Sequence, residues 1–190
     1  MTTERLEALI HSNAWLMHVL TTVRNAGVSD AWVGAGVVRD LVWGECFGSG
    51  FEPGRVRDVD VAFFDPTDLS RDSDQRATAL LHGLDPLVPW EATNQAAVHT
   101  WYPADFGGPA VAPLTSIEEA VGTWPETATA VAVRLAGERL EVCAPFGLED
   151  LLKGVWRRNP ARVSLEQSEA RLARHRPSHR WPKVTVIAPR

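Results

Sequence analysis

Arg57-Asp58-Val59-Asp60-Val61-Ala62-Phe63-Phe64 is the stretch that decides the fold. Its apolar residues are β-branched or aromatic, which favours a strand. Residues two apart in a strand point to the same face, so Asp58 and Asp60 project side by side. Two carboxylates held this close repel, and the repulsion raises at least one pKa unless a cation intervenes. Mg²⁺ suits such hard oxygen ligands and keeps open positions for a phosphate. The pair alone also fits a strand end on a solvated edge, where two acids need no cation. The residues before it decide between these readings.

Upstream runs Ala31-Trp32-Val33-Gly34-Ala35-Gly36-Val37-Val38-Arg39-Asp40-Leu41-Val42-Trp43-Gly44. Trp32 and Val33 form a short strand entering a tight turn. Gly34 and Gly36 allow backbone angles that other residues resist, and they let a ligand approach the main chain. From Val37 to Cys46 the spacing of Val38, Leu41 and Val42 predicts a helix. A glycine turn leading into a helix N-terminus is a ready anion site. Arg39, in the first turn, has the reach to bind a phosphate bidentately. It has an equally simple partner in Asp40 or another nearby acid. The third glycine of a dinucleotide fingerprint is missing.

Taken together, G-x-G-x-x-R-D-L-x-x-G, a loop of roughly a dozen residues and then R-D-V-D-V resemble the signature of the nucleotidyltransferase superfamily. That superfamily includes DNA polymerase beta, the CCA-adding enzymes and small bacterial nucleotidyltransferases. The CCA-adding enzymes carry a closely similar G-G-x-x-R-D-L-L-x-G before their D-x-D. Three downstream segments resemble short bacterial nucleotidyltransferase-like proteins of unassigned substrate: Trp90 to His99, Trp124 to Val131, and Ala144 to Leu151. The resemblance implies an α+β, polymerase beta-like fold with a mixed, mostly antiparallel sheet flanked by helices. It does not carry over a substrate, because one fold serves many acceptors.

The resemblance also implies a third carboxylate on a neighbouring strand. Thr127 to Leu135 and Leu140 to Cys143 read as a hairpin around Ala136-Gly137-Glu138-Arg139. Glu141, on its second strand and followed by a short helix at Leu148 to Lys153, is the preferred third acid. Glu91, in a short segment before Asn94-Gln95, is the alternative. The implied chemistry is nucleotidyl transfer assisted by two Mg²⁺ ions held by Asp58, Asp60 and Glu141. The substrate is an NTP whose phosphates meet Gly34, Gly36 and Arg39. Positioning and electrostatics carry most of such a rate. Asn94, Gln95 and His99 match the narrower group, either as contacts to nucleotide or acceptor or as braces of the sheet. Arg134, in mid-strand, is either a phosphate contact or a neutraliser of nearby acids.

Composition bounds the rest. At 190 residues the chain fits a nucleotidyltransferase-like domain over residues 1–155 with a basic helical extension over 156–190 packed on it. An apolar share of 45% is ordinary for a packed core. Cys46 and Cys143 make neither a metal-ligand spacing nor a disulfide framework. With acidic Glu4 and Glu7 and no apolar leader, the N-terminus does not read as a signal peptide. No apolar run approaches the ~20 residues of a membrane helix, and the expected setting is cytoplasmic.

The net charge of −5 is uneven. From Trp156 onward, nine Lys and Arg side chains face only Glu166 and Glu169. This asymmetry marks either a phosphate-rich partner or a solvated helix face complementing the acidic body, and the second is preferred. Helices are expected at Thr3 to Ala26, stopped by Gly27, and at Asp72 to Gly83, after Ser116, and at Ser164 to His175. A late strand is expected at Val184 to Ile187. Residues 102–114 read as a loop, and the glycine-rich 47–55 loop lies beside the active site in the family.

Two function classes follow. The first is an active enzyme moving an NMP from an NTP to a hydroxyl acceptor: a small molecule, an RNA end or a protein. The second is a nucleotide-binding or regulatory module without turnover. The large helical RNA-binding body of the CCA-adding enzymes has no counterpart here, so a complete tRNA-repair enzyme is not the expectation.

Overall fold

A computed structural model describes residues 2–107 and 109–190; of the two adjacent glycines expected in the 102–114 loop, Gly108 lies outside them. Two helices open the chain, α1 (Thr2–Ser12) and α2 (Ala14–Ala26). Asn13 separates them, its side chain accepting from the Leu16 N–H, and Gly27 ends α2 at φ 68. Then come β1 (Trp32–Gly34), α3 (Gly36–Phe47), β2 (Val59–Phe63), α4 (Arg71–Leu84) and β3 (Trp90–Asn94). They are followed by α5 (Val98–Phe106), α6 (Ile117–Val121), β4 (Ala132–Ala136), β5 (Arg139–Cys143) and α7 (Glu149–Lys153). The chain closes with β6 (Val155–Trp156), α8 (Leu165–His175), α9 (Pro177–Arg180) and β7 (Thr185–Val186).

Five strands form one sheet in the order β3-β2-β1-β4-β5. Only β2 and β3 pair in parallel, joined through α4; the other pairs are antiparallel. This is the mixed, mostly antiparallel α+β sheet that the sequence implies. Val33, Val59, Val61 and Trp90 turn to the larger core, where α1, α2 and α3 bury Leu6, Leu16, Val38 and Leu41. On the other face Trp32, Ala62 and Ala132 meet Ile117 and Val121 of α6. Strand alternation therefore puts Asp60 on the second face, with Ala62.

Two segments differ from the sequence reading. The first hairpin strand begins at Ala132 rather than Thr127, because Thr129 and Ala130 donate back to the Glu126 carbonyl and wind a turn there. Helix α5 runs through Tyr102 and Pro103 into the expected loop and ends at Gly107, φ 74. Tyr102 and Phe106, four apart, stack at 4.9 Å and support that last turn.

The basic C-terminal segment is tied to the body. β6 pairs in parallel with β7, and Glu126 bridges antiparallel to Arg158. Trp156, Trp181 and Val184 share the main core with Trp43. Trp43 meets Trp181 edge-on at 5.1 Å and donates its indole N–H to the Leu151 carbonyl at 2.8 Å.

Candidate active site

The sheet, the glycine turn and the C-terminal helices enclose a cleft of about 1160 Å³. Its floor carries Asp58, Asp60 and Glu91, with Thr93 further along β3 and Gln95 just past its end. The parallel register sets Asp60 directly opposite Glu91, and Ala62 opposite Thr93. Side chains alternate across the sheet, so Trp90, Ala92 and Asn94 are buried against α4 while Glu91 and Thr93 face the cleft.

The electrostatics reflect this crowding. Burial, followed by the charges of Asp58 and Glu91, pushes the Asp60 carboxyl up to about 7. The Gly36 backbone N–H, which hydrogen-bonds to it, and the Arg39 charge pull in the opposite direction and do not offset the rise. Hard carboxylate oxygens whose mutual repulsion is uncompensated suit a divalent cation such as Mg²⁺. Among the described residues, no three His, Cys, Asp or Glu side chains form a ready-made metal cluster.

Glu141 is not brought to this cleft. It is on β5, and β1 and β4 stand between that strand and β2. At ~4.8 Å per strand this is about 14 Å across the sheet. Glu141 instead pairs with Arg134 at 2.7 Å and with Arg139, and the Arg134 bond holds its carboxyl below the usual range. Arg134 also pairs with Asp30 and lies over the Trp32 ring, so it neutralises acids at the far edge of the sheet. Topology places Glu91, not Glu141, beside Asp60: a hairpin partner adds to the outer edge, whereas β3 flanks β2 directly.

The glycines divide their work. A Cβ on Gly34 would stand 2.6 Å from the Trp124 ring, so this glycine admits the indole. Gly36 is open, its nearest neighbour being an Arg39 nitrogen at 3.7 Å from a would-be Cβ. Between them Ala35 takes φ 53, ψ −119, a conformation that costs any residue with a Cβ.

Arg39 lines the cleft but is 3% exposed, and its Nε and Nη2 donate to Asp40 at 2.9 and 2.6 Å. The rings of Trp43, Trp156 and Trp181 surround its guanidinium at 5.5 to 5.9 Å. Two of its nitrogens are thus held by Asp40 within the fold. Asn94 is also spent: it accepts from the Asp65 and Ala96 amides and donates to the Asp65 and Asp68 carbonyls. That makes it a brace of the β3 end. Gln95 lines the cleft, its amide donating weakly to the Thr93 carbonyl at 3.3 Å. His99 starts no contact with the cleft; its Nδ1 is buried without a partner.

Another part of the lining comes from the C-terminal helices, which the sequence reading assigned to a solvated face. Arg171, Arg174 and Arg176 line the cleft, with His175 and Arg180. Arg171 grips Glu126, which is buried, through Nε at 2.7 Å and Nη2 at 3.0 Å. Arg180 reaches the second oxygen of Asp40 at 2.8 Å. Burial, reinforced by Arg39, Arg171 and Arg174, pushes the His175 imidazole down to about 4. The one sequence signal for this wall was the charge asymmetry of the tail.

Comparisons with known proteins agree with this architecture. A family profile described as nucleotidyltransferase matches residues 21–186. A protein whose NMR structure reveals a CCA-adding enzyme head domain is 31% identical, with a TM-score of 0.79 over 97% of this chain and 95% of that one. A tRNA-processing enzyme in an apo form is 18% identical and shares the fold, with a TM-score of 0.52. That likeness spans 89% of this chain but 44% of the larger one. A search of curated proteins found no match.

Proposed function

This chain belongs to the nucleotidyltransferase family, and on that premise we propose that it moves an NMP from an NTP to a hydroxyl acceptor, releasing pyrophosphate, with Mg²⁺ held at Asp58, Asp60 and Glu91. The observation that carries this reading is the register of β3 on β2, which sets Glu91 beside Asp60 in the cleft that the Gly36 amide also faces. When bound, the ions supply Lewis-acid stabilisation of the attacking and leaving oxygens. The bond that forms joins the acceptor oxygen to the α-phosphorus. The bond that breaks joins the α-phosphorus to the pyrophosphate oxygen, and the acceptor's proton is lost toward the carboxylate-lined floor.

The chain's own residues bind and orient. The acids of β2 and β3 sit on rigid strands, which limits their reorganisation during transfer. Gly36 leaves a bare backbone surface at the start of α3, where partial positive charge favours a phosphate. Trp124, packed on Gly34, forms a fixed apolar wall of the cleft. Gln95 adds a polar group near the acids.

The acceptor is a small molecule, an RNA end or a protein hydroxyl. The test mixes the protein with each labelled NTP and Mg²⁺, using cell extract as the source of acceptor, and follows binding and pyrophosphate release. Release that disappears in Asp58→Ala plus Asp60→Ala is the expected result. Nucleotide binding without release, unaffected by those substitutions, would sink the catalytic reading in favour of a silent nucleotide-binding module.

A further inference from the structure

The cleft is electrically two-sided. Its lining holds the acids Asp58, Asp60 and Glu91 from the sheet side and, from the C-terminal helices, a group of arginines. Most cations around it are already matched. Arg39 gives its donors to Asp40, Arg171 to Glu126, and Arg180 to Asp40. Arg55 pairs with Glu52. Among the described residues of the cleft, Arg57, next to Asp58, and the C-terminal pair Arg174 and Arg176 have no acidic partner. The one polar contact of Arg174 is Nη2 to Nε2 of His175 at 3.3 Å.

The Arg174 and Arg176 side chains project from a wall fixed on both sides. Before them, the Arg171–Glu126 pair holds α8 against the 124–127 turn; after them, the Arg180–Asp40 bond holds α9 against α3. Asp40 belongs to the first turns of α3 and lines the same cleft as Gly36 and Asp60. His175, between the two arginines in sequence, is held neutral near pH 7 by burial and by the surrounding guanidiniums. The spare positive charge thus lines the same cleft as the helix start and the acids.

We propose that Arg174 and Arg176 are cations that bind the triphosphate of the NTP; this rests on the nucleotidyltransferase reading of the cleft. The fit is one of charge. A metal-bound triphosphate presents its cations to the acidic floor and keeps spare anionic oxygens for the guanidiniums of the C-terminal helices. Neither an uncharged ligand nor a simple cation would satisfy both sides.

The test is calorimetric binding of inorganic tripolyphosphate, and of non-hydrolysable α,β-methylene analogues of the four NTPs, each with Mg²⁺. Wild type should bind the triphosphates, and Arg174→Gln plus Arg176→Asn should weaken them tenfold or more. NMP binding and the melting temperature should stay close to wild type. Asparagine is chosen because residue 176 has φ 47, which Asn tolerates. The charge-keeping variant Arg174→Lys plus Arg176→Lys should retain most of the affinity even if the neutral one is unstable. If both double variants bind as wild type does while Asp58→Ala plus Asp60→Ala abolishes binding, this inference falls and the site reading stands. If both lose affinity equally, the charge argument is overturned. If wild type binds none of these probes, both readings fall together.

Discussion

Glu91 stands directly opposite Asp60 in the parallel pairing of β3 with β2, and Asp58, just before β2, lines the same cleft. Three acids meet in one cleft, while Glu141 is tied to Arg134 and Arg139 at the other side of the sheet.

That geometry separates two acids which look alike in sequence. Glu91→Gln is expected to lower the rate of pyrophosphate release by about 100-fold or more, the scale for losing one preorganised charged group. Glu141→Gln should leave the rate within a few-fold of wild type and cost only a little stability. A silent Glu91→Gln beside an inactive Glu141→Gln would reverse the assignment.

Three consecutive residues of the glycine turn should respond differently. Gly34→Ala drives a methyl group into the Trp124 ring and should destabilise by about 2 kcal/mol in a denaturant titration. Gly36→Ala should fold nearly normally but weaken nucleotide binding, since its Cβ enters open space at the start of α3. Ala35→Gly relieves a positive φ and should gain about 1 kcal/mol. A loss of stability in this last variant would contradict the strain.

Arg171→Gln removes the partner of the buried Glu126 carboxylate. Leaving a buried charge unpaired should cost about 3 kcal/mol, measured by chemical unfolding. Adding Glu126→Gln to it should recover much of the loss, because the remaining group is neutral. If the two single losses simply add, the residues do not act as a pair.

His175 should make the protein sensitive to mild acid. Its folded-state pKa is depressed from 6.5 to about 4. Above about pH 6.5 it is neutral whether folded or unfolded, and it contributes no slope. As pH falls from 6.5 toward 4, the unfolded chain takes up a proton that the folded chain refuses, so stability declines. Unfolding free energies of wild type and His175→Gln, compared at pH 7 and pH 5, should show the smaller decline in the variant.

Much of the fold was legible in short segments. The order of strand, glycine turn, helix and D-x-D strand follows from patterning and turn chemistry within residues 31–64, and helix ends follow from Gly27, Ser116 and Ser164, whereas the break at Asn13 emerged only in the fold. Local signals were weaker where distant groups decide. The Glu126 turn that delays β4 is held partly by Arg171, 45 residues away. The extra turn of α5 depends on an aromatic stack that overrides the loop signal of Pro103. Arg39 and Asn94 have the composition of ligand contacts, but Asp40 holds two of the Arg39 nitrogens and the Asn94 amide is fully engaged by neighbours within the fold.

The sequence by itself determined the chemistry of the site: a paired carboxylate strand, a glycine-led helix start and an unpaired excess of arginine near the C-terminus. All three depend on residue type at short spacing, where alternation and helical period act directly on the chain. Only the tertiary structure decided which acid joins the pair and where the arginines stand. The first depends on strand order, because β3 returns through α4 to lie beside β2 while the β4–β5 hairpin builds outward from β1. The second depends on two long-range ion pairs, Arg171 to Glu126 and Arg180 to Asp40, which turn an apparently solvated helix toward the acids it faces.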